Sequence, residues 1–300
     1  MIAPIIIIAS TGIKMTTKSK CGTHPLSCMS ISSALVAATA AVSTAVVNGA
    51  AHAASVTLYN GSGLPGSQGQ LVFGAIDSSG NPVGSGETPV AGGVQVDSDA
   101  NSAEYAGYSN YNPLTMNFVN SPLPYTLDPT TGYSIFFNAT LNSTTSNSND
   151  RAAFSITATS VGGSGIEIAF ENSLIFAQDA NFTRGENAPF TTPSNTNYEL
   201  RVIGSSYQFF ANSSQLLTGS LRNYNFNPAT SNPPLTFNPY TIDNFIFFGD
   251  NTGQEQGVYT LGEVRVQTGV AGVPFEFPAW TGILIMGIGT TVYQFRRKKK

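Results

Sequence analysis

Between residues 54 and 273 the chain has no lysine, histidine, cysteine or tryptophan. Both cysteines (Cys21, Cys28) and both histidines (His24, His52) precede this stretch, and the one tryptophan, Trp280, follows it. Each absence removes a class of chemistry. Without histidine there is no Ser-His-Asp triad. Without histidine or cysteine there is no ordinary zinc site, and no disulfide can staple the fold. Without lysine there is neither a Schiff base nor a P-loop lysine. Charge is also scarce: 10% of the 300 residues, against about 25% in ordinary domains. It is one-sided. Residues 54–273 carry five arginines (Arg151, Arg184, Arg201, Arg222, Arg265) against sixteen of the seventeen acids, a formal −11 concealed within a whole-chain −4. Such a surface repels nucleic acid, which needs a basic footprint, so no nucleic-acid partner is expected.

The ends carry what the middle lacks. Lys14, Lys18 and Lys20 precede an apolar, small-residue run from Ile31 to Val47, and Ala51-His52-Ala53 then offers a small-x-small cleavage site before Ala54. This order is that of a signal peptide, residues 1–53, cut by signal peptidase; Met15 is a plausible true start. At the other end, after a spacer at 269–273, Pro274-Phe275-Glu276 leads into an apolar stretch, Trp280 to Phe295, and the basic stop Arg296, Arg297, Lys298, Lys299 and Lys300. Counted from Pro278 to Phe295, a helix would be roughly 27 Å long at ~1.5 Å per residue, enough to cross a thin bilayer as a transient membrane anchor. The terminal cations would hold its end in the cytoplasm.

Short motif, short span and basic tail together, over 274–300, resemble the PEP-CTERM sorting signal in its Pro-Phe-Glu variant, of cyanobacterial type. The resemblance implies an exosortase-type membrane protease as processing partner. It implies export, brief inner-membrane anchoring by the C-terminal helix, then delivery to the cell surface or extracellular matrix.

The body reads as strands. Tyr133, Ile135, Phe137, Ala139 and Leu141 alternate on one face, as do Phe154, Ile156 and Ala158, then Ile166, Ile168 and Phe170, then Tyr198, Leu200 and Val202. Gly204-Ser205 and Asn212-Ser213 mark tight hairpins. Phe245 to Phe248 is expected to be a buried central strand. Between Gly257 and Val266 the apolar phase slips, and Gly262 is placed to absorb it as a bulge. Val56–Tyr59, Leu71–Ile76 and Leu114–Val119 read as further strands, and Gly80–Gly93 as a loop. The expected fold is a single all-β, antiparallel β-sandwich of jelly-roll (concanavalin A-like) type over residues 54–268. The hairpin Tyr198–Gly219, Asp150-Arg151-Ala152-Ala153-Phe154, Gly165–Phe170 and Phe245–Asp250 with Leu261-Gly262 resemble concanavalin A-like (laminin-G-like) "choice-of-anchor" domains of secreted bacterial proteins. That family implies no particular activity.

Glu167 and Glu171 share a strand parity and resemble part of the Glu-x-Asp-x-Glu strand of laminarinase-type glycoside hydrolases, but Ala169 stands at the central acid's place. Their plainer reading is as two solvent-facing carboxylates. Four strand residues span roughly 13 Å, against the about 5–5.5 Å between the carboxyls of a retaining pair. Asp97, Asp99, Asp150 and Asp250, with Asn147, Asn149 and Asn251, are oxygen-rich positions where calcium is the one candidate cofactor; none is otherwise expected. Tyr105, Tyr108 and Tyr111 form a candidate sugar-stacking cluster. Asn60, Asn138, Asn142, Asn181 and Asn212 sit in glycosylation-type sequons, as chance gives in so Asn/Ser/Thr-rich a chain.

The expectation from sequence is a non-catalytic surface or matrix protein that binds extracellular polysaccharide, the alternative being a hydrolase using Glu167 and Glu171. The acidic body should stay soluble, and calcium should bridge it weakly, at about 10⁻⁴–10⁻³ M, to matrix. Mass spectrometry of the extracellular fraction tests the sorting signal: mature protein should lack Arg296 to Lys300, and an intact tail leaves a plain anchor.

Overall fold

The computed structural model describes residues 53–84, 86–145 and 148–270. They form two antiparallel sheets packed face to face. Sheet A holds β1 (Ala54–Tyr59), β3 (Glu87–Val90), β4 (Gly93–Asp97), β8 (Tyr133–Thr145), β13 (Thr196–Ile203), β14 (Ser206–Ala211), β15 (Ser214–Ser220) and β17 (Gln256–Thr268). Sheet B holds β2 (Val72–Ile76), β5 (Tyr105–Ser109), β9 (Phe154–Thr159), β10 (Gly165–Glu171), β11 (Leu174–Gln178), β12 (Arg184–Pro189) and β16 (Ile246–Asp250). A small ribbon, β6 (Tyr111–Asn112) with β7 (Asn117–Phe118), hangs off β5. Sheet A runs β15-β14-β13-β8-β17-β4-β3, with β1 beside the far half of β17; sheet B runs β12-β11-β10-β9-β16-β5-β2. The helices among the described residues are 3-10 turns of three or four residues, and none is long and apolar enough to cross a membrane.

The period-two runs form the core. Tyr133, Ile135, Phe137, Ala139 and Leu141 of β8 are all buried, and so are the inward sets of β9, β10 and β13. Phe137 is the hub. Its ring stacks on Tyr198 at 5.2 Å and meets Phe170 and Phe248 of the other sheet edge-on at 6.2 and 5.3 Å. In β17 the slip falls where Gly262 predicts it. Leu261 is opposite Ala139 but Val264 is opposite Phe137, so one extra residue is absorbed, and Tyr259, Leu261, Val264 and Val266 all stay inside. Both hairpins form as two-residue turns, with Gly204 and the pair Asn212-Ser213 at positive φ. β16 lies centrally, between β9 and β5.

Two expectations are corrected. Leu114–Val119 is not a strand: Leu114 is 79% exposed in a turn and only Asn117-Phe118 pairs. Gly80–Gly93 is not all loop. Its end is β3, whose Pro89 is tolerated because β3 is an edge.

Asp250 lies fully buried at the end of β16. It accepts from Ser98 Oγ at 2.7 Å and from the Thr252 N–H at 3.0 Å, and burial raises its carboxyl well above the ordinary range, with the charges of Glu255 and Glu104 adding to the rise.

Two predictions follow from this packing. Phe137→Ala should cost about 3–5 kcal/mol, as for buried aromatics. Phe136→Ala, one residue along on the opposite face, should cost much less; equal losses in urea denaturation would refute the register. For Asp250, a folded carboxyl raised above its unfolded value binds an extra proton. Its stabilising share is therefore present below about pH 4, the unfolded value, and is lost as pH rises. Asp250→Asn should thus be relatively more stable at pH 7 than at pH 4. The reverse ordering of melting temperatures would show the carboxylate to be favoured in the fold.

Candidate functional site

The outer face of sheet B carries residues of opposite parity to the core: Ser155, Thr157 and Thr159 on β9, and Glu167, Ala169 and Glu171 on β10. A polar outer face would normally meet water. Here β9 is buried on both faces, and so is β10 as far as Phe170. The cover comes from the crossing between β15 and β16 and from the β11–β12 turn. Tyr224, Phe226 and Tyr240 of the crossing and Phe182 of the turn form an aromatic cluster, with Tyr224 and Tyr240 centroids 4.5 Å apart and Phe182 5.3 Å from each. The crossing has no regular strand. Asn227 and Asn238 cap its two 3-10 turns, and Thr159 Oγ1 donates to the Pro239 carbonyl at 3.4 Å.

Glu167 lies beneath this cover, 1% exposed. The Tyr240 hydroxyl donates to its carboxylate at 2.5 Å, and the Glu167 N–H donates to the Tyr224 hydroxyl at 2.8 Å. Burial raises the Glu167 carboxyl above its usual range, against the opposing pull of Tyr240, Asn251, the Arg151 charge and Thr157. Burial and the Glu167 charge together push Tyr240 well up. Glu171 is partly exposed and forms an ion pair with Arg184, whose guanidinium lies 4.6 Å from the Phe176 ring centroid. Burial raises it as well, with Arg184 pulling the other way. The expectation of two solvent-facing carboxylates is therefore corrected: one is enclosed and bonded to a phenol, the other ion-paired.

Two cavities share Tyr240, the phenol bonded to Glu167, as a wall. A polar one of about 350 Å³ is lined by Arg151, Tyr105, Phe182, Tyr240, Asn251 and the Asn225–Asn232 stretch. An apolar one of about 140 Å³ lies between β2, β5 and the crossing, with Phe237, Phe247 and Leu235 in its walls. Tyr240 and Asn251 line both. Gly74, Gly107 and Gly249 stand side by side across three strands. At Gly107 a Cβ would come within 2.7 Å of the Phe247 ring, so a side chain there would displace a wall of the apolar cavity.

The remaining candidates are dispersed. Tyr108 turns into the core, against Phe73 and bonded to Glu87, and Tyr111 is buried against Phe118 and Phe237. Of the three expected stacking tyrosines, Tyr105 alone lines the polar cavity; its hydroxyl donates to the Asn232 carbonyl at 3.0 Å and burial pushes it up to about 12. Asp97 accepts from the Asp99 N–H at 3.1 Å, and Asp150 from the Arg184 N–H at 2.9 Å. With Asp250 buried behind Ser98, these acids do not converge on one ion, and among the described residues no three of His, Cys, Asp and Glu do so. Asn147, Ala51, Pro274, Phe275, Glu276 and the basic stop lie outside the described residues. Tyr224, Phe226 and Tyr240 went unread in the sequence. Their signal was aromatic enrichment in a Pro/Asn-rich stretch without periodicity.

No protein-family model matches the chain. No curated protein matches it either. Solved structures of similar fold include a carbohydrate esterase of the Shiga toxin-encoding bacteriophage phi24B, at 9% identity and TM-score 0.47 over 72% of this chain and 99% of that one. An alginate lyase of polysaccharide lyase family 7 matches at 9% identity and TM-score 0.39 over 67% of this chain and 96% of that one. Trypanosoma rangeli sialidase matches at 11% identity and TM-score 0.35 over 66% of this chain and 30% of that one. At these identities the likeness is one of fold; the three proteins named are a carbohydrate esterase, an alginate lyase and a sialidase, so the expectation of a non-catalytic protein finds no support among them and is not carried forward.

Proposed function

We propose that the chain is an exported carbohydrate-active enzyme whose acid is Glu167. The observation that carries the reading is the Tyr240–Glu167 hydrogen bond. It joins an enclosed carboxyl, biased by burial toward its neutral form, to a phenol on the wall of a polar cavity. A carboxyl that holds its proton more tightly than in water is what glycosidic cleavage asks of its proton donor. The reaction class is glycoside hydrolysis. When Glu167 holds its proton it donates to the Tyr240 oxygen. The phenol's own proton then points to the cavity and passes to the departing sugar oxygen as the glycosidic bond breaks. Glu171 is the second carboxylate. Its charged form has a cationic partner in Arg184, which Glu167 lacks at hydrogen-bond distance, and it serves as the base that takes a proton from attacking water. With alpha carbons roughly 13 Å apart, the pair suits the wider spacing of inverting enzymes, about 6.5–9.5 Å between carboxyls, better than the retaining one.

The concanavalin A-like form of the jelly roll belongs to the same proposal. So does the delivery route, with signal peptidase, the exosortase-type protease and the cell surface. Its support is the register in which Ala54, first residue of β1, pairs with Thr268, last of β17. Cleavage before Ala54 and near Pro274 would leave the sandwich whole.

Reducing-end release on a panel of soluble polysaccharides tests the activity. Glu167→Gln and Tyr240→Phe should each lower turnover by about 10²–10⁴-fold with the fold retained. The absence of turnover on every polymer, or full turnover in Glu167→Gln, would sink the assignment.

A further inference from the structure

Among the five arginines of the body, three have carboxylate partners: Arg184 with Glu171, Arg201 with Glu199 and Arg222 with Glu186. Arg265 lies over Phe136 and donates to Ser55 and Gln267. Arg151 is different. Its guanidinium lies 4.9 Å from the Phe182 ring centroid, and among the described residues it is the one arginine that donates to no acceptor. The body has acids in more than threefold excess over arginines, yet among the described residues none forms an ion pair with this one; the enclosed Glu167 senses its charge without a direct bond. A guanidinium offers five N–H donors in a planar fork that matches carboxylate and sulfate oxygens, and it stacks on aromatic faces. The ring beneath Arg151 contacts the face of the guanidinium and not its N–H edge, which takes no acceptor among the described residues. Around it the polar cavity is lined by Asn225, Asn251 and Gln254, residues whose amide groups donate and accept as sugar hydroxyls require. The cavity's about 350 Å³ falls in the size range of small-ligand pockets, about 300–1,000 Å³.

We propose that this cleft holds a sugar ring bearing an anionic substituent, carboxylate or sulfate, with Arg151 as the residue that takes the charge. The proposal rests on the reading of Glu167 as acid and names the substrate class: acidic polysaccharide. It also couples binding to chemistry. The Arg151 charge acts on Glu167, Tyr240 and Tyr105, favouring the ionised form of each. An anion seated on Arg151 opposes that field and shifts Glu167 toward the protonated form that donates.

The test is binding, measured in full-length Glu167→Gln so that turnover does not interfere. The probes are oligogalacturonate, its carboxyl-reduced neutral form and a sulfated galactan oligomer. At least one anionic probe should bind about tenfold or more tighter than the neutral one, the scale of a charge-assisted hydrogen bond; which of the two does so separates carboxylate from sulfate. Adding Arg151→Gln should abolish the preference, Arg151→Lys should retain part of it, and Arg265→Gln should leave it intact, a matched melting temperature showing that the fold is kept. Equal affinity for all three probes, or an unchanged preference in Arg151→Gln, would overturn the proposal. Turnover of neutral glycans independent of Arg151 would leave the hydrolase reading standing and remove this one. Arg151-dependent anion binding without turnover on any polymer would do the opposite.

Discussion

Phe137 ties the two sheets together, and the sandwich is organised around what its ring touches. Within sheet A it stacks on Tyr198 and lies near Phe209; across the gap it meets Phe170 and Phe248. With no cysteine or tryptophan in residues 54–268, interdigitated phenyl and phenol rings must supply much of the cohesion, and such rings prefer the offset and edge-on geometries found here. That packing tolerates a single register. A one-residue slip of β8 would send Phe137 to solvent and bring Ser134 and Phe136 inward. The bulge at Gly262 exists for the same reason. It lets β17 follow β8 for its full length while pairing with β4 along one half and β1 along the other.

A second constraint arises because the outer face of β9 and β10 is polar and yet covered. Enclosing Thr159 and Glu167 would be unfavourable without partners, so the crossing segment brings a carbonyl and a hydroxyl as well as rings. Tyr240 and Tyr224 serve both needs, each with an apolar ring and a polar tip. Arg222, just before Tyr224, pairs with Glu186 on the edge strand β12 and bridges to Gly165 through its backbone. The start of the crossing is therefore bound to the edge strand β12 and to the first residue of β10. Its middle, Asn227 to Pro239, is held by turn caps and few ladder bonds, the low-stability kind of segment from which mobile walls of binding sites are drawn.

Legibility in the sequence followed the apolar alternation. β8, β9, β10, β13 and β17 could be read because every second residue is large and apolar. β5, Tyr-Ala-Gly-Tyr-Ser, was not read, because Ala106 and Gly107 give no contrast and its tyrosines looked like a surface cluster. β3 was hidden by Pro89 and β12 by its polar, edge-strand composition. At the site, the sequence offered Glu167 and Glu171 as a pair on one face, and they do share one. It could not tell that the face is covered. That depends on contacts between residues 73 positions apart, Glu167 and Tyr240, and no local pattern encodes them. Arg151 was legible only as one cation among five. Its distinction lies in what the fold withholds from it.

Net charge and local charge pull in opposite directions in this molecule. A body at −11 repels a polyanion at long range, which argues against an acidic substrate if only the sum is considered. At physiological ionic strength, however, that repulsion is screened beyond about 8 Å. Interactions in a partly enclosed cleft are screened far less, so the approach and the seated complex are governed by different charges. The approach responds to the exposed acids spread over a broad surface. The seated ring responds to Arg151, Tyr105, Tyr240 and Asn251. Moderate salt therefore weakens the opposing force more than the attracting one, and an acidic body can take an acidic polymer at a single point while shedding it elsewhere. Under the proposed function that division is useful: one anchoring charge would orient the sugar at Glu167, and the rest of the surface would not cling to the polymer.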